Sequence, residues 1–274
     1  MLAHGSGEVA QRVGAIGLAV VAAGLAALVL AARRLGRRAR LRLAFFAGAA
    51  AVSAAVSSES FDAWSDSSLT NHMIQHLVIV LVAAPCLAAG EPLAVLAAHG
   101  PPPVRRVWRR AHLRHRRLVR SVLGAVAVTL PFVVVMSAWH SPSWYDAAVD
   151  DDLVHVAEHA SLLATAALAW SVLPFADLWR RRKRRVTSFP IAAVAGLLLM
   201  MLHGAVVGLW LLVVPVQLYS SPPGASVGWR AVSDQQASGA VLWGVGGTAM
   251  MAATVALLGW WIAGHLRPER LVLP

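Results

Sequence analysis

The sequence predicts an all-α membrane protein built as a bundle of seven transmembrane helices. Three observations support this fold class: the 274 residues are 58% hydrophobic and only 14% charged, the apolar residues are gathered into seven long segments, and the basic residues lie on alternate connections. A soluble domain of this size needs more polar surface than the composition offers. The single cysteine, Cys86, excludes an internal disulfide framework.

The seven apolar segments have lengths that suit a hydrocarbon core of roughly 30 Å at about 1.5 Å rise per residue. Backbone polar groups in lipid must be satisfied within the segment, so we expect each segment to be helical. The predicted spans are about 13–32, 43–58, 70–90, 121–139, 153–176, 190–214 and 237–264. We expect residues 1–274 to form a single integral membrane domain.

The connections between these segments predict the orientation. Twenty-two of the 24 basic residues lie in 33–42, 105–120, 180–185 and the C-terminal tail, while the other connections are acidic or neutral. The positive-inside rule then gives an N-terminus outside and a cytoplasmic C-terminus in a bacterial plasma membrane. The net charge of +11 therefore reflects topology, and we expect contact with membrane lipids but not with nucleic acid. The basic, partly amphipathic segment 104–120 is expected to lie along the inner leaflet.

The histidines are unevenly distributed over this topology. Five of the eleven fall at the outer ends of spans three, four and five: His72, His76, His140, His155 and His159. Two pairs have i,i+4 spacing, which places both rings of a pair on one helical face. Ionisable residues inside membrane segments face the bundle interior and indicate a functional site by default.

A metal or redox site is the chemistry that this pattern favours. Imidazole suits zinc, copper, iron and nickel, and thioether sulfur favours Cu(I). We therefore expect the two histidine pairs to be ligands, with His140 and Met73 as further candidates. Asp151 lies about one turn before His155, where a carboxylate can accept a hydrogen bond from an imidazole and fix its tautomer.

Two other classes of protein remain open at this point. A b-type haem electron-transfer protein would use one histidine from each of two spans as axial ligands. An intramembrane zinc hydrolase would need three histidines, an open coordination position and a nearby acid or base, for which Glu158 is available.

Three motifs resemble those of the polytopic CtaG-type cytochrome c oxidase assembly factors. They are NHMIQH followed by LVAAPCLAAGEP, the stretch AWHSPSWYDAAVDDDLVHVAEHASLLATAALAWSVLP, and DQQASGAVLW at 234–243. The resemblance covers roughly residues 70–260 in the order of that family. One departure is Cys86, where the family pattern has proline or an aliphatic residue.

The resemblance implies a membrane assembly factor, not an enzyme, that helps copper, expected as Cu(I), reach a haem-copper cytochrome c oxidase. The first motif carries His72 and His76, the second carries His155, Glu158 and His159, and the third carries Asp234 and Gln235. Glu158, Asp151, Asp234 and Gln235 are expected to support or gate the site. Zinc and haem are the alternative cofactors, oxidase subunits are the implied partners, and the sequence defines no oligomeric state.

Overall fold

A computed structural model describes residues 36–92, 94, 101–175, 190–220 and 229–265. Within these ranges every regular element is helical. In chain order, the elements are α1 (Arg37–Val56), α2 (Glu59–Ser65), α3 (Leu69–Val78), a π-helical turn (Ile79–Ala83), α4 (Ala84–Gly90), α5 (Pro102–Leu118), α6 (Val122–Trp139), α7 (Pro142–Asp150), α8 (Asp152–Trp170), α9 (Ile191–Val213) and α10 (Trp229–His265).

Six helical stretches among the described residues are long and apolar enough to cross a membrane. They are Ala39–Val56, Leu69–Gly90, Val122–Trp139, Asp152–Trp170, Ile191–Val213 and Arg230–Gly264, which match the predicted spans two to seven. The first predicted span, 13–32, lies outside the described residues. The fifth span ends at Trp170 and not at 176 as predicted, because Pro174 disfavours a helical conformation of the residue before it.

The third span changes its hydrogen-bonding pattern at the π-helical turn Ile79–Ala83. Pro85, just after this turn, has no backbone N–H, so the Val80 carbonyl lacks the i+5 partner that a π-helix would give it. The indole Nε1 of Trp170 donates to that carbonyl at 2.7 Å. The buried Trp170 side chain therefore satisfies the irregular turn and attaches α8 to the third span.

The sequence GEP, which ends the third span, has a packing explanation. A Cβ on Gly90 would lie 2.9 Å from the backbone nitrogen of Phe46, so only glycine allows α1 to approach this closely. Glu91 follows in the left-handed conformation with φ 41°, and its carboxylate pairs with the Arg42 guanidinium at 2.9 Å. This end of the span is thus fixed to α1 by both backbone proximity and charge.

The basic helix α5 has no buried residue. His112 stacks on Trp108 with ring centroids 6.1 Å apart. The half-buried His115 forms a hydrogen bond through its Nε2 with the Ser171 hydroxyl, the two atoms lying 3.0 Å apart. Burial lowers the pKa of His115, and this contact holds α5 against the end of α8.

Helices α9 and α10 pack closely along their length. The sequence suggests small-residue faces at Gly204-x-x-x-Gly208 and Ala240-x-x-x-Gly244. The close approach instead joins Gly208 to Gly239: a Cβ on Gly208 would lie 2.8 Å from the Gly239 carbonyl oxygen, whereas Gly204 and Gly244 have nothing within 4 Å. Gly208 therefore lies at the close contact as the pattern predicts, whereas on α10 the contact is made by Gly239 and not by its neighbour Ala240.

Replacing Gly239 by alanine is expected to destabilise the protein by about 1–3 kcal/mol, because the new methyl group overpacks the backbone of α9. Thermal unfolding of the detergent-solubilised protein measures the effect. Gly244→Ala is the matched control on the same helix, since its methyl group enters open space. Equal midpoints for the two variants would contradict the assigned contact.

Candidate metal centre

The four paired histidines project from two helices, α3 and α8. The start of α3 is capped by the Ser68 hydroxyl, which accepts from the Asn71 N–H, and α8 begins after Asp151, whose carboxylate accepts from the N–H groups of Leu153 and Val154. The i,i+4 spacing then brings the rings together on each helix. Ring centroids are 4.4 Å apart for His72 and His76, and 4.3 Å apart for His155 and His159.

The two pairs face each other across the interior of the bundle. The rings of His72 and His155 stack with centroids 5.6 Å apart, and those of His76 and His159 meet edge to face at the same separation. His72 and His76 are almost fully buried, and His155 and His159 are partly buried. The fold therefore brings the two pairs together, which their spacing in the sequence leaves undecided.

Glu158 lies within reach of both pairs. Its carboxylate oxygens are 3.4 Å from the Nε2 of His76 and 3.8 Å from the Nε2 of His72. Ligand atoms of His155 and His159 also lie within 4.8 Å of it and of each other. The side chain has no exposed surface, and neither oxygen has a hydrogen-bond partner. A buried carboxylate in this state is stabilised only by a charge or a metal ion beside it.

His140 and Met73 form a further pair of donor atoms next to His76. The Nδ1 of His140 donates to the Met136 carbonyl at 2.8 Å, so a neutral ring presents the lone pair of its Nε2 to the Met73 sulfur, 3.2 Å away. Burial beside His76 lowers the pKa of His140 to about 3, which keeps the ring neutral. Its centroid is 6.0 Å from that of His76.

A family model described as cytochrome c oxidase caa3 assembly factor matches residues 24–264. The chain belongs to this family of caa3 oxidase assembly factors. Comparison with curated proteins gave no significant match, and comparison with solved structures gave none either. The matched range includes all four paired histidines and every predicted span except the first part of span one.

In this assembly factor, three of the predicted supporting residues form hydrogen bonds to the starts of helices or to the segment that follows α9. Asp151 has the capping hydrogen bonds described above, and no contact of its carboxylate with the His155 ring is found among the described residues. Asp234 on α10 accepts from the N–H groups of Leu69 and Thr70 at 2.7 and 3.2 Å, and from the Thr70 hydroxyl at 2.6 Å. Gln235 accepts from the Leu218 N–H at 2.9 Å and donates to the carbonyls of Val214 and Val216.

Four residues around the assembly factor's histidines escaped the sequence analysis. They are Asp62, Gln75, Tyr145 and Tyr219. Gln75 is fully buried and donates to both the Val56 carbonyl and the Asp62 carboxylate at 2.7 Å. Its position inside NHMIQH, as a polar residue within an apolar span, is a signal that could have found it.

The other three contact or approach the site from the outer connections. Burial raises the pKa of the Asp62 carboxyl group, which accepts the hydrogen bond from Gln75. The Tyr145 ring meets His72 edge to face with centroids 5.2 Å apart, and the Tyr219 hydroxyl donates to the His140 carbonyl at 2.9 Å. Burial raises the pKa of both tyrosines, so they remain neutral phenols. Asp62 and Tyr219 lie outside the quoted motifs, and although Tyr145 lies within the second motif, its spacing gives no indication of the contact with His72.

Proposed function

We propose that this assembly factor binds Cu(I) through its paired histidines and passes it to a copper centre of cytochrome c oxidase. One observation carries the proposal: five buried ring nitrogens in the cluster have no hydrogen-bond partner. They are Nε2 of His72, both nitrogens of His76, Nε2 of His155 and Nε2 of His159. Buried polar atoms are normally hydrogen-bonded, so a converging set of unpaired imidazole nitrogens favours a metal ion as the missing partner.

Copper is the metal that suits the surrounding donors and the family. Imidazole binds several transition metals, but a thioether beside it selects for Cu(I), and the Met73 sulfur lies 3.2 Å from the Nε2 of His140, whose ring adjoins that of His76. Membership of an oxidase assembly family supports delivery to that enzyme's copper centre. Neither binding nor transfer needs catalytic turnover, so we propose a metal carrier that contacts oxidase subunits.

The proposed side of the membrane follows from the basic connections. Seven spans with the N-terminus outside bring the cluster to the outer face of a bacterial plasma membrane, and the basic helix α5 to the inner leaflet. Copper taken up on the outer side would then reach the histidines without crossing the hydrocarbon core.

The two alternatives make different use of the same residues. A haem would need two imidazoles separated by a macrocycle, whereas these rings contact each other in stacked and edge-to-face pairs. A zinc hydrolase would use Glu158 as its acid or base, and the carboxylate does lie beside three or more imidazoles. The nature of the bound group distinguishes all three classes.

Purified wild-type protein reconstituted with Cu(I) under anaerobic conditions is expected to retain copper after desalting. The double variant His72→Ala/His76→Ala is expected to lose at least half of it, because two of the donors are gone. Elemental analysis of the desalted protein measures the metal, and an absorbance spectrum detects haem.

His112→Ala is the matched control, since this histidine stacks on Trp108 away from the cluster. It should retain wild-type copper. Wild-type copper content in the double variant would overturn the proposal, as would a Soret band in the protein as isolated. Zinc retained in preference to Cu(I) would support the hydrolase instead.

A further inference from the structure

We propose that the cluster holds two metal ions, bridged by the carboxylate of Glu158. The proposal rests on the function proposed above and extends it from a single copper site to a pair. The two histidine pairs and Glu158 supply the metal-binding atoms, and their arrangement divides these atoms between two positions.

The donors fall into two sets of three. His72, His76 and Glu158 have ligand atoms that all lie within 4.8 Å of one another, and so do His155, Glu158 and His159. Ligand atoms on one ion with bonds of about 2.0–2.2 Å lie no farther apart than about 4.4 Å. Each set is compact enough to close on one ion with small side-chain adjustments, and Glu158 is the member that both sets share.

The ring separations follow the same division. Within each pair the ring centroids are 4.4 or 4.3 Å apart, whereas between the pairs both separations are 5.6 Å. The rings are therefore grouped in space as they are grouped on the two helices.

The unpaired atoms of Glu158 support a bridge. Both carboxylate oxygens are buried and lack hydrogen-bond partners. One ion bound through a single oxygen would leave the other oxygen desolvated, at a substantial free-energy cost. Two ions would each take one of the two oxygens. The metal ions of a two-metal site are usually about 3.5–4 Å apart.

The charges and the coordination numbers also fit two Cu(I) ions. Each ion would receive two imidazoles, which are donors that suit copper, and one carboxylate oxygen as a shared anionic partner. The Glu158 carboxylate, which both sets share, would offset part of the two positive charges. The positions differ, because only the one served by His76 adjoins the Met73 and His140 pair.

The test is a Cu(I) titration of the purified full-length protein, with a competing Cu(I) chelator and elemental analysis of the desalted product. Wild type is expected to bind two Cu(I) per chain. His72→Ala/His76→Ala and His155→Ala/His159→Ala are each expected to retain one. Glu158→Gln keeps the shape of the side chain and is expected to weaken the second binding step by tenfold or more. Circular dichroism establishes that each variant is folded.

The outcomes separate this inference from the proposed function. One Cu(I) per wild-type chain, lost completely when either histidine pair is removed, would overturn the two-ion arrangement and leave copper binding intact. No Cu(I) in the wild type would overturn both. Two ions in Glu158→Gln with unchanged affinities would overturn the bridge. X-ray absorption of the loaded wild type should show a metal–metal distance, which is expected to disappear in either double variant.

Discussion

Cells whose assembly factor carries alanine at His72, His76, His155 and His159 are expected to have the cytochrome c oxidase activity of cells that lack the protein altogether. All four nitrogens that converge with Glu158 are removed together, so no partial site remains. Loss of even one supporting group around a metal typically costs about 10–100-fold in affinity, and loss of the ligands themselves should exceed that. Oxidase activity per milligram of membrane protein, with the copper content of the isolated oxidase, measures the result.

Protein level must be controlled, because four substitutions inside a bundle can reduce accumulation. Quantitative immunoblotting of the membranes normalises the activity, and His112→Ala provides a histidine variant outside the cluster. That control should support wild-type oxidase activity. If the quadruple variant accumulates normally and the oxidase remains fully active and copper-loaded, the cluster has no part in maturation.

Replacing Asp234 by alanine is expected to lower the free energy of unfolding by about 2–4 kcal/mol and to weaken Cu(I) binding at the same time. The carboxylate accepts three hydrogen bonds at the start of α3, two from backbone N–H groups that a helix N-terminus otherwise leaves unpaired. His72 lies in the first turn of that helix, so fraying of the turn would move a proposed copper ligand. Thermal unfolding and Cu(I) affinity measured on the same preparation test both effects.

Two further variants calibrate this result. Asp146→Ala removes a carboxylate that accepts one exposed hydrogen bond, from the Ser220 N–H, and should change stability by less than about 1 kcal/mol. Asp234→Asn keeps one acceptor oxygen but loses the charge that favours a helix N-terminus, so it should fall between wild type and alanine. If Asp234→Ala has reduced stability but unchanged Cu(I) affinity, the hydrogen bonds between Asp234 and the start of α3 support the fold and not the binding site.

The histidine cluster could be predicted because its signal is local. An i,i+4 spacing fixes two rings on one face of a helix whatever the tertiary structure, and the alternating loop charges place both pairs at the same end of their spans. What spacing cannot give is the rotation of each helix about its axis. That the pairs face each other depends on the packing of α8 against the third span, to which Trp170 contributes.

The supporting residues were harder to predict because their partners are remote. Asp151 was assigned to His155 on proximity in sequence, yet a carboxylate just before a helix serves the free N–H groups of the first turn at least as well. Gln75 and Asp62 meet across a helix connection, and Tyr219 reaches His140 from beyond α9. Contacts of this kind leave no periodic pattern in the sequence.

The hydrogen bonds that Asp234 accepts from the start of α3 have a consequence for biosynthesis. The carboxylate is 165 residues downstream of Leu69, so a ribosome must complete nearly the whole chain before the helix with the first histidine pair receives this cap. Insertion of earlier spans into the bilayer therefore produces a chain whose histidine cluster still lacks this cap. Under the function proposed above, the order of synthesis would delay copper binding until the Asp234 carboxylate has been made.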